Sequence, residues 1–109
     1  MKQIVEWCQE RGMLFRSLKP IAPKSLGSRK KIQIFVGVDM RSYYHALFVI
    51  EKKSRILRKE AEAFGRLHTA LEQHLDTRIK HRCILVKAPL CSKAKQLLEE
   101  SGWRVELGG

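Results

Sequence analysis

The chain has 109 residues, and its 22 lysines and arginines outnumber its 11 acids, which gives a formal net charge of +11 and an isoelectric point near 10.0. This length suits one domain with its own core, spanning residues 1–109, and excludes two domains of ordinary size. An apolar fraction of 44% excludes disorder along most of the chain, and no apolar run approaches the roughly 20 residues that a membrane-spanning helix needs.

The three cysteines show no metal-binding or disulfide pattern. Cys8, Cys83 and Cys91 are odd in number and stand at unrelated spacings. They therefore indicate neither a disulfide framework nor a zinc site, and they fit a reducing compartment. We expect a cytoplasmic protein.

The positive charge is unevenly distributed along the sequence. Residues 11–38 and 78–95 contain no acid, and five cations lie between them within residues 52–59. Such a distribution attracts polyanions, because each phosphate that is neutralised releases counterions. We therefore expect a nucleic-acid partner, DNA or RNA, rather than a membrane surface or an acidic protein. The candidate contacts are Lys24, Arg29, Lys30, Lys31, Arg41, Arg55, Lys87 and Lys93.

The first part of the chain predicts one helix and two strands. Residues 3–11 repeat apolar side chains at helical spacing, and Gly12 is a typical residue at a helix end. Residues 13–18 suit a short strand. Residues 19–31 hold two prolines, a glycine and five cations, which predicts a mobile basic loop. Residues 32–39 place their β-branched side chains at alternate positions, as in a strand.

The second part predicts strands that alternate with helices. A turn at residues 40–44 leads into a strand at 45–53, and residues 56–76 carry an apolar stripe at helical steps of three and four. A strand at 82–87, a helix at 92–101 and a strand at 103–107 follow. A β-hairpin followed by a βαβ unit predicts an α/β fold with a mixed sheet flanked by helices, in the order α-β-β-β-α-β-α-β.

Two acids and a lysine could carry chemistry. Asp39 ends one strand of the predicted hairpin, while Glu51 and Lys53 lie two residues apart in the next strand and so leave the same face of the sheet. The hairpin can bring the two carboxylates together, and such a pair suits Mg²⁺. A lysine beside them can stabilise charge on a phosphate, so the set predicts metal-assisted phosphodiester hydrolysis.

The spacing of these residues resembles a known motif. Asp39, eleven further residues and then Glu51-Lys52-Lys53 are similar to the Asp…Glu-x-Lys motif of the PD-(D/E)XK restriction-endonuclease-like superfamily, and the element order is similar to its core. The resemblance implies that Asp39 and Glu51 bind the metal and that Lys53 acts in catalysis. It leaves open whether the protein forms a homodimer, as many small nucleases do.

The chain also departs from the superfamily's pattern. Val38 stands where proline usually precedes the Asp, and Lys52 stands where the residue is usually apolar. The superfamily often has a further acid on the first helix, and Glu6 or Glu10 could fill that place.

Residues 51–55 also fit a simpler interpretation, as the polar turn of a hairpin whose second arm is residues 55–61. With three strands in that order, the chain resembles the ribonuclease H-like fold, in which Asp39 would match an Asp that binds metal. That fold needs a second acid near its fourth strand, and residues 83–90 contain none. This alternative implies a non-catalytic α/β nucleic-acid-binding module within a larger assembly.

Aromatic residues offer a different kind of contact. Tyr43, Tyr44 and Trp103 could stack on bases, although Trp103 fits the core better. If the backbone is extended at the two tyrosines, their side chains point to opposite faces, so the sequence predicts that at most one of the tyrosines is free to stack.

Overall fold

The computed structural model describes residues 6, 8–10, 12, 14–27 and 32–107. Residues 6 and 8–10 are helical, as predicted. The further elements are β1 (Phe15–Ile21), a 3-10 helix (Pro23–Leu26), β2 (Gln33–Asp39), β3 (Tyr44–Glu51), α1 (Arg58–Leu75), β4 (His81–Lys87), α2 (Ser92–Glu100) and β5 (Trp103–Leu107). The predicted fold class, an α/β fold with this order of elements, is confirmed.

The five strands form one mixed sheet in the order β1-β2-β3-β4-β5. The pairs β1–β2 and β2–β3 are antiparallel. The chain reverses its direction in the connection at residues 22–32 and again in the turn at residues 40–43. The pairs β3–β4 and β4–β5 are parallel, since a helix crosses over between the members of each pair. The carboxyl ends of β3, β4 and β5 therefore lie at one edge of the sheet.

The sheet separates two apolar clusters. On one face, Phe64 and Leu71 of α1 and Leu98 of α2 pack with Phe48 and other buried strand residues. On the other face, Phe35, Leu47, Val49, Cys83 and Leu85 pack with Cys8 from the N-terminal helical residues.

Neither α1 nor α2 combines the length and the apolar composition that a membrane crossing requires.

The basic loop predicted at residues 19–31 does not begin at residue 19, because residues 19–21 belong to a strand. β1 extends to Ile21 and includes Pro20, which is tolerated because β1 is an edge strand whose outer side needs no hydrogen-bond donor. A 3-10 helix then occupies Pro23–Leu26. The remaining part of the predicted loop, at 28–31, lies outside the described residues.

Two strand predictions near residue 53 are also wrong. β3 ends at Glu51, so Lys53 follows the strand and does not share its face. The arm predicted at 55–61 does not form, because α1 begins at Arg58 and only Ile56 pairs with another segment, in an isolated bridge to Leu90. The ribonuclease H-like arrangement, which needs that third strand, is therefore not the one this chain adopts.

Candidate nucleic-acid interface

Two connections lie side by side at the carboxyl ends of β3 and β4. Glu51 and Lys87 are register partners at the ends of these parallel strands. Beyond them, the Ile56 N–H donates to the Pro89 carbonyl at 2.9 Å, and the Cys91 N–H donates to the Ile56 carbonyl at 3.0 Å. These bonds join the β3–α1 connection to the β4–α2 connection. In open α/β sheets, ligands bind in the crevice at this end of the strands.

Cations dominate this end of the sheet. Residues 51–60 and 87–95 together hold eight lysines and arginines and two acids, Glu51 and Glu60. The Lys52 ammonium lies 2.6 Å from Glu60, so one of the acids already has a partner. We define the cationic edge as Lys53, Arg55, Lys87 and Lys93. These four side chains are exposed and form no ion pair with any acid in the described residues.

The backbone at the cationic edge also favours negative charge. Cys91 precedes α2, and the N–H groups of Ala94 and then Lys93 hold the pKa of its thiol below the usual value. The charges of Arg55 and Lys93 lower this pKa further, although they contribute less. An anion at the start of α2 is therefore stabilised by backbone N–H groups as well as by cationic side chains.

A cleft of about 300 Å³ opens beside the cationic edge, between α1 and α2. Arg58 and Lys93, from the first turns of the two helices, line one part of it, and Gln96, Leu97 and Glu100 line the rest. The cleft continues the cationic surface between the helices.

Asp39 lies at the opposite end of the sheet, where its carboxylate stabilises the β2–β3 turn. Oδ1 accepts hydrogen bonds from the backbone N–H groups of Arg41 (2.8 Å) and Tyr43 (2.9 Å), and Oδ2 lies 2.8 Å from His45 Nε2. The hydrogen bond from His45 and then the one from Tyr43 lower the pKa of Asp39 to about 2. These contacts give the predicted catalytic aspartate a structural role in the turn.

The structure does not bring Asp39 and Glu51 together. Asp39 lies beside the start of β3, and Glu51 is the last residue of that strand. Because a strand rises about 3.3 Å per residue, the eight-residue β3 separates the two carboxylates by roughly 20 Å. They cannot ligate the same Mg²⁺ ion, and no group of three or more histidines, cysteines or acids within the described residues could hold a metal. The residues present therefore do not fit the predicted magnesium site.

The predicted nucleic-acid contacts fall into four groups. Arg55, Lys87 and Lys93 come together at the cationic edge. Lys24 lies in the connection from β1 to β2, which is at the same end of the sheet because β2 begins beside the end of β3. Arg41 lies in the β2–β3 turn, at the opposite end. The remaining three, Arg29, Lys30 and Lys31, are outside the described residues.

Two features of the structure, one at the cationic edge and one at the opposite end of the sheet, were not predicted from the sequence. One is the pairing of Ile56 with Leu90, which joins segments more than 30 positions apart and has no local sequence pattern. The other is a stack of His45 on His81, whose rings are parallel within 14° and 4.4 Å apart. The two histidines are register partners in parallel strands. Each histidine stands at or beside the start of a predicted strand, but the register that places one beside the other cannot be predicted from either strand alone.

Comparison with solved structures identifies the fold. A repair endonuclease from Pyrococcus abyssi superposes with a TM-score of 0.60 at 20% sequence identity, over 98% of this chain and 44% of the endonuclease. EndoMS in complex with double-stranded DNA gives a TM-score of 0.54 at 15% identity, over 98% of this chain and 43% of EndoMS. EndoMS in its apo form gives 0.51 at 16% identity, over 98% and 45%. This chain thus shares the fold of a part, less than half, of these endonucleases.

Sequence comparisons add no closer relation. No protein-family model matches the chain, and no curated protein matches it.

Proposed function

We propose that this chain binds nucleic acid, with DNA as the first ligand to test, through the cationic edge. The observation that carries the proposal is the convergence of Lys53, Arg55, Lys87 and Lys93, which come from two segments that are distant in the sequence and have no acidic partner in the described residues. A phosphate backbone supplies the regular negative charges that such a surface lacks. The fold shared with a repair endonuclease, and with EndoMS in a complex with double-stranded DNA, supports DNA as the ligand.

Single substitutions at the cationic edge test this proposal. Binding of a fluorescein-labelled DNA duplex is measured by anisotropy for the wild-type chain, Arg55→Ala and Lys93→Ala. Each loss of a phosphate contact should weaken binding severalfold and lower the slope of log K against log salt by about 1. Arg66→Ala is the matched control, because Arg66 is an exposed cation in the middle of α1, away from this edge.

The proposal is contradicted if Arg66→Ala weakens binding as much as Arg55→Ala does, since net charge alone would then explain the affinity. A parallel titration with an RNA duplex decides between the two nucleic acids. If neither binds at 50 mM salt, the cationic edge is not a nucleic-acid site.

Phosphodiester hydrolysis is a second candidate, which the endonuclease fold favours. Its predicted residues are Asp39, Glu51 and Lys53 with Mg²⁺, and the separation of Asp39 from Glu51 leaves them without a shared metal site. We therefore propose binding without cleavage for this chain alone. Incubating DNA and RNA with the protein, with and without Mg²⁺, checks this, and Mg²⁺-dependent cleavage that Glu51→Gln abolishes would establish the nuclease instead.

A further inference from the structure

Four aromatic rings form a continuous row at the end of the sheet opposite the cationic edge. Phe15 contacts His45 edge to face, with ring centroids 5.1 Å apart. His45 stacks on His81 at 4.4 Å, and Tyr43 packs edge to face on His81 at 5.9 Å. We call this set the aromatic row. The central contact of the row follows from backbone pairing, since His45 and His81 are register partners in β3 and β4.

The outer end of the aromatic row is open to solvent. His81 is exposed, and 57% of Tyr43 is accessible. Leu14, Met40 and Tyr44 are also exposed and adjoin the row along the chain, at the start of β1 and around the β2–β3 turn. Both tyrosines are therefore exposed, and the prediction that at most one is available is wrong. The reason is that Tyr43 lies in the β2–β3 turn and Tyr44 is the first residue of β3, where neither side chain is buried.

The surroundings of the aromatic row favour a negatively charged ligand. Arg41 lies two residues before Tyr43 in the turn, and Arg78 and Lys80 lie shortly before His81. The carboxylate of Asp39 accepts hydrogen bonds from two backbone N–H groups and from His45, so it holds the His45 ring of the row in place. Exposed flat rings beside cations are the combination that binds single-stranded nucleic acid, because bases stack on the rings and phosphates pair with the cations.

We infer that Tyr43 and His81 form a stacking site for unpaired nucleobases, so that the nucleic acid recognised by this chain contains single-stranded nucleotides. The inference rests on the proposed function but concerns a different surface. β3 spans roughly 23 Å between the two sites. Stacked bases advance about 3.4 Å each, so a strand of twelve nucleotides can reach from the aromatic row to the cationic edge.

The experiment compares two probes of equal charge. One is a twelve-nucleotide oligothymidine, and the other is a twelve-unit abasic strand with the same phosphodiester backbone but no bases. The wild-type chain should bind the oligothymidine about tenfold more tightly than the abasic strand, which is the size of effect expected for stacking of one base. Tyr43→Ala should remove this difference, and Tyr43→Phe, which keeps the ring, should retain it.

Leu107→Ala serves as the matched control, because it also removes an exposed apolar side chain, from β5. It should leave the preference for oligothymidine unchanged. Tyr43 has an exposed side chain, and its backbone bonds to Asp39 do not depend on the ring, so Tyr43→Ala should fold.

Several outcomes overturn the stacking site. If the wild-type chain binds both probes equally, or if Tyr43→Ala weakens both probes to the same extent, bases are not recognised by this ring. In those cases salt-dependent binding at the cationic edge stands unaffected. If Tyr43→Ala changes only a self-association detected by sedimentation, the exposed rings contact a second copy of the chain instead. If neither probe binds and the DNA duplex does not bind either, both the stacking site and the proposed function fail.

Discussion

Gly37 is the residue of β2 over which the Phe15 side chain of β1 lies. A Cβ atom at this position would lie 2.7 Å from Cδ1 of Phe15, whose ring also contacts His45. Overpacking of this kind costs about 1–3 kcal/mol because the neighbouring ring must move. We therefore expect Gly37→Ala to lower the free energy of unfolding by about that amount, measured by urea denaturation.

A second substitution separates the clash from a general cost of changing this strand. Phe15→Leu replaces the ring with a smaller side chain, so Gly37→Ala should cost less in the Phe15→Leu background than in the wild-type chain. Equal costs in the two backgrounds would show that the Phe15 ring does not set the requirement for glycine.

Asp39 links the β2–β3 turn to pH. Its folded pKa of about 2 lies below the ordinary value of 3.8, so the unfolded chain takes up a proton first as the solution is acidified. The stabilisation is therefore present above about pH 4 and is lost as the pH falls toward 2. Asp39→Asn should show a smaller loss of stability across this interval, measured by urea unfolding at several pH values between 5 and 2.

The result for Asp39→Asn has a clear converse. If the variant and the wild-type chain lose stability in parallel between pH 4 and 2, the hydrogen bonds from His45 and Tyr43 do not stabilise the carboxylate. The unfolding free energies of Asp39→Asn and of the wild-type chain would then differ by the same amount at every pH.

At the scale of elements, the long helix α1 contains one residue that packing does not require. Gly65 lies in the middle of α1, and a Cβ atom there would meet nothing within 4 Å. Glycine in a helix interior costs up to about 1 kcal/mol relative to alanine. Gly65→Ala should therefore raise the free energy of unfolding by up to about 1 kcal/mol. The measurement is a shift of the urea midpoint at constant slope. A lower free energy of unfolding in the variant would mean that this surface of α1 contacts another group.

Elements with a strong local pattern could be predicted from the sequence. The apolar stripe of α1 and the β-branched alternation of β2 identify these elements because each pattern reflects one buried face. The predicted ends of two strands were wrong. β1 continues through Pro20, which in the sequence is typical of a loop, and β3 ends at Glu51, two residues earlier than predicted. Neither end depends on hydrophobic periodicity.

The candidate site could be predicted only in part, and the reason is geometric. In an antiparallel hairpin, residues at equal distances from the turn face each other. Asp39 lies directly before the turn and Glu51 lies at the far end of β3, so the two could not meet once the turn formed at residues 40–43. Arg55, Lys87 and Lys93 were predicted as contacts from charge, but their proximity depends on parallel pairing between distant segments.

At the scale of the whole molecule, the net charge of +11 predicts how binding responds to salt. If four phosphates are contacted at the cationic edge, the slope of log K against log salt should be about −3 to −4 for duplex DNA. Anisotropy titrations between 50 and 200 mM NaCl measure this slope. An affinity that is unchanged over this range would contradict phosphate contacts altogether.

The bridge between Ile56 and Leu90 has a consequence for the thermodynamics of association. Two backbone bonds tie the connections that carry Arg55 and Lys93, so these charges are held in place before any ligand arrives. A prearranged surface gives up little conformational freedom on contact, and its affinity comes mainly from ion release rather than from reshaping the protein. Such a molecule would accept any strand with matching phosphate spacing, regardless of base sequence, and would owe its selectivity to features elsewhere on its surface.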